Sequence, residues 1–219
     1  MDISIQKKYT VKEIRNLTDS TYVVRMNRYG MGFKAGQNLN VGLTGDTEKR
    51  DYSIYSGIHD DYLEILVKEV EDGLVSRKLK RLKPGDQMEV DGPFGFFSLK
   101  EKNISTKKFI FIASGTGIAP FHSIILSHPG VNFKLIHGIR HTHEAYEKAH
   151  YPSGRYVSCV SQDKDGDFHG RVTDYIRQNP VDKDTLCYLC GNVNMIYDVF
   201  DILKDQEVPS ENLHAEVYF

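Results

Sequence analysis

The sequence predicts two domains in series, an antiparallel β-barrel followed by an α/β unit with a parallel sheet. Three observations carry this expectation. Short alternating apolar segments, punctuated by Gly and Asn/Asp, fill the first half, which is the pattern of a closed barrel. The second half switches to strands alternating with helical stretches, which is the pattern of a parallel sheet with helices on both faces. A chain of 219 residues accommodates two domains of about 100 residues each.

In the first half, strands are expected at residues 3–9, 21–25, 38–41, 52–55, 62–67 and 87–90. A helix is expected at 75–82, before Lys83-Pro84-Gly85-Asp86 turns the chain back. In the second half, 108–113 is an apolar strand, 118–126 a helix and 133–137 a strand. The alternation continues through 155–160, 172–176, 185–189, 195–203 and 213–217. The polar stretch 101–106 separates the two regimes, giving domains 1–102 and 103–219.

Composition narrows the function classes. The net charge of −2 does not indicate bulk nucleic-acid binding. No apolar run approaches the roughly 18 residues that span a bilayer, and Met1 to Lys8 lack a signal-peptide core. Three Cys are an odd number and form no disulfide framework, so a reducing, cytoplasmic setting is expected. Charge is uneven. Residues 1–108 hold 19 Lys+Arg against 16 Asp+Glu, and residues 109–219 hold 9 against 14. The densest basic run is Arg77-Lys78-Leu79-Lys80-Arg81-Leu82-Lys83, which reads as a solvated helix face.

The most informative segment is Arg50-Asp51-Tyr52-Ser53. A guanidinium grips a pyrophosphate with a planar fork of donors. A phenol ring lies flat on a fused aromatic system. A hydroxyl hydrogen-bonds a heteroatom at a reacting centre. Arg50 and Tyr52 share one strand face, because side chains alternate with period two. Gly73-Leu74-Val75-Ser76 opens a helix, where unpaired amides and the dipole favour an anion. Ser76 also reads as an N-terminal cap.

Further motifs follow in order. Gly92-Pro93-Phe94-Gly95 is followed by Gly115-Thr116-Gly117-Ile118-Ala119-Pro120, a strand–glycine turn–helix that departs from the full dinucleotide fingerprint at Pro120. Cys190-Gly191 and Met195 come next, and then the terminus Ala215-Glu216-Val217-Tyr218-Phe219. Cys187 and Cys190 stand three apart on a strand, so their thiols should face opposite sides rather than pair or bind metal. Cys187 and Cys159 read as small buried hydrophobes. His137, His141, His143 and His150 have no ligand partners at metal spacing and read as a solvated loop and helix start. Asp163-Lys164-Asp165-Gly166-Asp167 lacks the closing Glu of a calcium loop and reads as a turn, so no metal site is expected.

This ordered set resembles the ferredoxin–NADP reductase superfamily of flavoproteins over nearly the whole chain. The tail is most similar to that of the bacterial ferredoxin/flavodoxin reductases. The resemblance implies bound FAD, with Arg50 on its pyrophosphate, Tyr52 against the isoalloxazine and Ser53 near flavin N5, the atom that receives the hydride. It implies that the strand through Val67 turns its backbone to the flavin, and that Gly73, Leu74, Val75 and Ser76 meet the pyrophosphate. Thr116, Gly117, Cys190, Gly191 and Met195 match the nicotinamide-nucleotide site. Tyr218 matches the ring stacked on the flavin, Phe219 an aromatic near the adenine, and Glu216 a proton relay or nicotinamide aligner. The implied catalytic set is Ser53, Cys190, Glu216 and Tyr218. Arg140 and Arg171 stand where family members carry the arginines that meet a 2′-phosphate. Ser161-Gln162 falls where many NADP-using members have Ser-Arg, and Gln162 brings no charge. NADP(H) is favoured over NAD(H) on the two arginines.

The function implied is an NAD(P)H oxidoreductase that exchanges single electrons with ferredoxin or flavodoxin. The basic run 77–83 then becomes a docking patch for an acidic carrier. The rivals are a reductase component of an oxygenase system, many of which carry a fused Cys-rich module not found in this sequence, and a catalytically silent nucleotide-binding regulator or electron-transfer subunit of a larger complex, against which the intact flavin and nicotinamide motifs argue.

Overall fold

The computed structural model describes residues 7–218, which hold twelve strands and five α-helices. Two compact units divide them. The first runs to Ser98 and adds Ala119–Ser127; the second holds Leu99–Ile118 and continues from His128.

The first unit contains β1 (Lys7–Asn16), β2 (Thr21–Asn27), β3 (Asn38–Leu43), β4 (Lys49–Ser53), β5 (Tyr62–Lys68) and β6 (Gln87–Phe94). They form one antiparallel sheet in the order β4-β3-β6-β1-β2-β5. Just past β4, Ile54 bridges Ile65 of β5, and the Tyr55 N–H donates to the Glu64 carbonyl at 2.7 Å. That contact joins the two outer strands and closes the barrel. Alternate residues fill the interior: Tyr22, Val24 and Met26 from β2, and Leu63, Ile65 and Val67 from β5. Helix α1 (Leu74–Leu79) adds Val75 and Leu79 to that core. Truncating a side chain as enclosed as Ile65 to Ala would cost about 2–5 kcal/mol.

The sequence reading and the structure part at two places in this unit. Residues 10–16 are strand, not connection. A register shift between Val11 and Glu13 breaks the alternation that would have betrayed them. The remainder of the expected first strand, residues 3–6, lies outside the described residues. The strand expected at 52–55 begins earlier and ends at Ser53, and the chain beyond serves as the closing bridge.

The second unit is built on β7 (Lys108–Ser114), β8 (Asn132–Ile139), β9 (Tyr156–Val160), β10 (Phe168–His169), β11 (Leu186–Gly191) and β12 (Leu213–Val217). All run parallel in the order β10-β9-β8-β7-β11-β12. The chain leaves β7 for β8 on one side and later returns to β11 on the other. The carboxyl ends of β7 and β11 therefore mark the topological switch point, where open α/β sheets bind ligands. Helices α4 (Val172–Gln178) and α5 (Val193–Asp205) cover one face through Tyr175, Ile176, Ile196 and Val199, packed on Ile110, Ile112, Cys187 and Leu189. The opposite face carries the rings of Phe109, Phe111, Phe133 and Tyr188. The polar stretch at 101–106 contains a one-turn helix, α2 (Glu101–Ile104).

Helix α3 (Ala119–Ser127) follows β7 in the chain but packs within the first unit. His122 stacks on Tyr55 with ring centroids 3.8 Å apart, and its Nδ1 donates to the Tyr55 carbonyl at 2.8 Å. The Ser123 hydroxyl donates to the Ser56 carbonyl at 2.7 Å.

Candidate functional site

In the first unit the candidate residues gather at the β3–β4 hairpin and the start of α1. Pairing on β3 sets Arg50 opposite Val41, Tyr52 opposite Leu39 and Ser53 opposite Asn38. Arg50 is exposed, its guanidinium held by Glu48 at 3.0 Å and by the Lys49 carbonyl at 2.8 Å. Tyr52 is half-buried against the barrel core, and burial pushes its phenol up to about 12. Ser53 is buried at the strand end.

Helix α1 lies beside this hairpin, tied by the Lys78–Asp46 ion pair at 2.6 Å. The Tyr22 phenol, close enough to Tyr52 to feel its charge, donates to the Ser76 carbonyl. Gly73 is the residue that starts the helix, and Ser76 sits inside its first turn. This corrects the reading of Ser76 as a cap. Its hydroxyl is buried and accepts from the Val70 N–H at 3.3 Å, which leaves its O–H free to donate. A Cβ on Gly73 would stand 2.5 Å from that hydroxyl, which explains the glycine. Val75 is in the core and Leu74 is exposed. Val67 points its side chain into the barrel and offers only backbone. The basic run is less free than its sequence implies, because Lys78 pairs with Asp46 and Lys80 with Glu69.

In the second unit the candidates meet at the carboxyl ends of β7 and β11. The turn Gly115–Ile118 packs backbone to backbone on the end of β11. A Cβ on Gly117 would lie 2.3 Å from the Cys190 carbonyl, and one on Gly191 would lie 2.3 Å from the Ser114 hydroxyl. Only glycines allow this approach. Gly115 has φ +53, and the space beside its Cα is open. Thr116 is half-buried next to it. Ser114 Oγ accepts from the Asn192 N–H at 2.9 Å, and Asn192 caps α5 by accepting from the amides of Asn194 and Met195. Met195 packs partly on the core.

Strand β12 brings the tail to the same place. Cys190 pairs with Glu216 and Gly191 with Val217, and the Tyr218 N–H donates to the Gly191 carbonyl at 3.0 Å. Three of the four candidate catalytic residues thus adjoin, Cys190 with Glu216 and Tyr218. The Cys190 thiol is pushed well up by burial and by the Glu216 charge, while a hydrogen bond with Tyr218 pulls the other way. Cys187 lies on the opposite face, in the core under α5. All three cysteines are thiols. Phe219 lies outside the described residues.

Arg140, Ser161, Gln162 and Arg171 are all exposed and lie along the ends of β8, β9 and β10. The Gln162 N–H donates to the Arg140 carbonyl at 2.9 Å, and the Arg171 N–H donates to Asp174 at 3.1 Å. Asp163 sits beside them. It accepts from His141 Nδ1 at 2.8 Å and from the Thr142 amide at 2.7 Å, and these bonds pull its carboxyl down to about 2. The acidic turn therefore ties loops together, since Asp167 likewise holds Ser158 and Lys148.

The histidine reading needs correction. His137 is fully buried on β8, with Nε2 2.8 Å from the Gly115 carbonyl and Nδ1 2.9 Å from the Tyr156 hydroxyl. Sequence reasoning also missed Ser114 and Asn192. Asn before an apolar helical run is a cap signal that was present; nothing local marked Ser114.

The oxidoreductase FAD-binding domain family matches residues 8–99, and the oxidoreductase NAD-binding domain family matches residues 111–201. The toluate 1,2-dioxygenase electron transfer component of Pseudomonas putida is 28% identical over 95% of this chain, which spans 66% of that protein. The flavodoxin/ferredoxin–NADP reductase of Shigella flexneri is 29% identical over 86% of both chains. A ferredoxin NADP+ reductase from Neisseria gonorrhoeae, solved with FAD and NADP, has the same fold, with a TM-score of 0.87 at 22% identity over 97% of this chain and 98% of its own.

Proposed function

Because this chain belongs to the ferredoxin–NADP reductase family of FAD- and nicotinamide-dependent oxidoreductases, we propose that it passes electrons between NAD(P)H and a soluble ferredoxin or flavodoxin. FAD, when bound, supplies the conversion of a two-electron hydride donor into single-electron steps. The protein supplies placement, exclusion of water and proton handling. The observation that carries the reading is the junction of Gly117, Cys190 and Tyr218 at the switch point of the second sheet, in a chain whose barrel carries Arg50, Tyr52 and Ser53 at one strand end.

The residues fit the cofactor. Arg50 is exposed with a planar donor fork, and the first-turn amides of α1 have no helical acceptor. Both suit a pyrophosphate. Tyr52 offers a ring face and Ser53 a hydroxyl at the strand end. On the second unit, Thr116, Gly117, Gly191 and Met195 hold the nicotinamide nucleotide, with Arg140, Ser161, Gln162 and Arg171 toward its adenosine end. Cys190 would border the nicotinamide, and Tyr218 keeps the role the resemblance implies, a ring against the flavin. Glu216 is the carboxylate that moves a proton or aligns the carboxamide. The domains we assign are 1–102 for FAD and 103–219 for the nucleotide, and the setting is cytoplasmic.

The match to a dioxygenase electron transfer component favours a second reading, a reductase that serves an oxygenase. One experiment addresses both. The purified protein is heated to release its flavin, and NADH and NADPH oxidation is followed with ferredoxin, flavodoxin and a dye as acceptors. FAD with rapid carrier reduction supports the proposal. Stoichiometric FMN, or a colourless protein without flavin affinity, overturns it. Dye reduction without carrier reduction moves the assignment to the second reading.

A further inference from the structure

His137 lies under the Gly115–Ile118 turn, and no role given above uses it. The Gly115 carbonyl can only accept, so Nε2 carries the hydrogen of that 2.8 Å bond. Burial pulls the imidazole down to about 4, so the ring is neutral near pH 7 and Nδ1 has a lone pair. The Tyr156 hydroxyl, 2.9 Å away, must then donate to Nδ1. Tyr156 is itself fixed by stacking on Tyr151, with ring centroids 5.1 Å apart. The Tyr146 ring packs at 5.8 Å, and Glu144 is the charged group near enough to be felt.

The turn above needs such support. Two of its first three residues are glycines, which lose more freedom on ordering than any other residue. The peptide plane makes the effect directional. The Gly115 carbonyl and the Thr116 N–H belong to one trans peptide and point opposite ways. Holding the carbonyl on His137 aims the Thr116 N–H away from that ring.

We propose that His137 is a positioning residue for the nicotinamide coenzyme: its Nε2–H bond to Gly115 holds the turn in its coenzyme-receiving shape, and Tyr156 fixes the tautomer that makes the bond. This rests on the reading of the turn as the coenzyme seat. The residue acts on backbone common to both coenzymes, so NAD+ and NADP+ should respond alike.

The test uses FAD-loaded protein and calorimetric binding of NAD+ and NADP+, with amide exchange at residues 115–118 and the flavin-to-protein ratio followed alongside. His137→Leu should weaken both coenzymes about five- to ten-fold and speed exchange at Thr116 and Gly117, with flavin content unchanged. His137→Gln keeps a donor and an acceptor and should recover most of the loss. Tyr156→Phe should act in the same direction, by roughly two- to three-fold. Gly117→Ala, whose Cβ collides with the Cys190 carbonyl, is the control that removes the seat. If His137→Leu binds as wild type while Gly117→Ala does not, the inference fails and the seat stands. If His137→Gln is no better than His137→Leu, the ring is only filler and the inference also fails. Should His137→Leu not fold, Tyr156→Phe decides, and wild-type affinity there overturns the proposal. Wild type that binds neither coenzyme overturns both readings.

Discussion

At the end of β4 the groups offered to a ligand are side chains: the exposed Arg50 fork, the Tyr52 ring and the Ser53 hydroxyl. At the end of β7 they are mostly backbone. Gly115 and Gly117 contribute no side chain, and the shape of their turn comes from Cys190, Gly191 and His137 packed beneath it. The first arrangement is a row of chemistries on a rigid strand. The second is a cradle whose selectivity resides in peptide orientation. Single substitutions should therefore act differently in the two places. On β4 they should remove one function and leave the rest. Under the turn they should alter the shape that several contacts share.

The largest expected effect is at Ser53. If its hydroxyl serves the reacting position of the flavin, Ser53→Ala should slow flavin reduction by about 10²–10³. The flavin content should stay near that of wild type, because Arg50 and Tyr52 remain. Single-turnover reduction by NADPH and NADH measures it. An unchanged rate would take Ser53 out of the catalytic set and leave β4 as a binding strand only.

The His137 environment gives a test on the other side of the comparison. Its folded-state value, about 4, lies below the ordinary value of 6.5. As pH falls through 6.5, the unfolded chain takes up a proton that the folded chain refuses until about pH 4. Stability is therefore full above 6.5 and declines between 6.5 and 4, by roughly 3 kcal/mol from this group alone. Denaturant midpoints across that range should show the slope, and His137→Leu should flatten it. An equal slope in the variant would assign the effect to other groups.

The contrast between the two regions also governs what was legible in the sequence. The closed barrel, the parallel sheet and the tail strand follow from alternation and motif order, because those patterns record which faces are buried. Strand β1 beyond Tyr9 did not, since the shift between Val11 and Glu13 interrupts the alternation. Arg50, Tyr52 and Ser53 stood out as candidates because distinct chemistries stood together in four residues. His137 and Ser114 were not, because each acts by a bond to backbone distant in the chain, whereas the Asn192 cap is local and its signal was present but not read. Ser76 shows the reverse error: a residue type common at caps sits inside the first turn, with its hydroxyl accepting from Val70.

A smaller effect is expected at Arg50. A charge-assisted hydrogen bond contributes about 1.5–3 kcal/mol, so Arg50→Ala should weaken FAD by roughly ten- to a hundred-fold. Coenzyme affinity should not change if the two regions recognise their ligands separately. Flavin titration of the apoprotein and coenzyme calorimetry would read both. A loss of coenzyme affinity equal to that of FAD would break the separation.

The smallest and most specific prediction concerns coenzyme choice at the ends of β8, β9 and β10. Arg140 and Arg171 bring positive charge to this edge, and we lean to NADPH for that reason. Two features oppose it. Gln162 brings no charge, and Asp163, pulled down to about 2 by His141 and Thr142, is an anion throughout the neutral range. A carboxylate there repels a phosphate dianion but can accept from a ribose hydroxyl. Gln162→Arg should tighten NADPH by about ten-fold or more without tightening NADH. Asp163→Asn should move the ratio in the same direction by less, because His141 and Thr142 already offset part of its charge. Steady-state kcat/KM for the two coenzymes measures the ratio in each variant. A wild type that prefers NADH by a wide margin would mean that Gln162 and Asp163 outweigh the two arginines. Gln162→Arg should then still narrow that margin. If it tightens NADH equally, this edge does not meet the 2′-position, and selectivity must reside in the turn after β7.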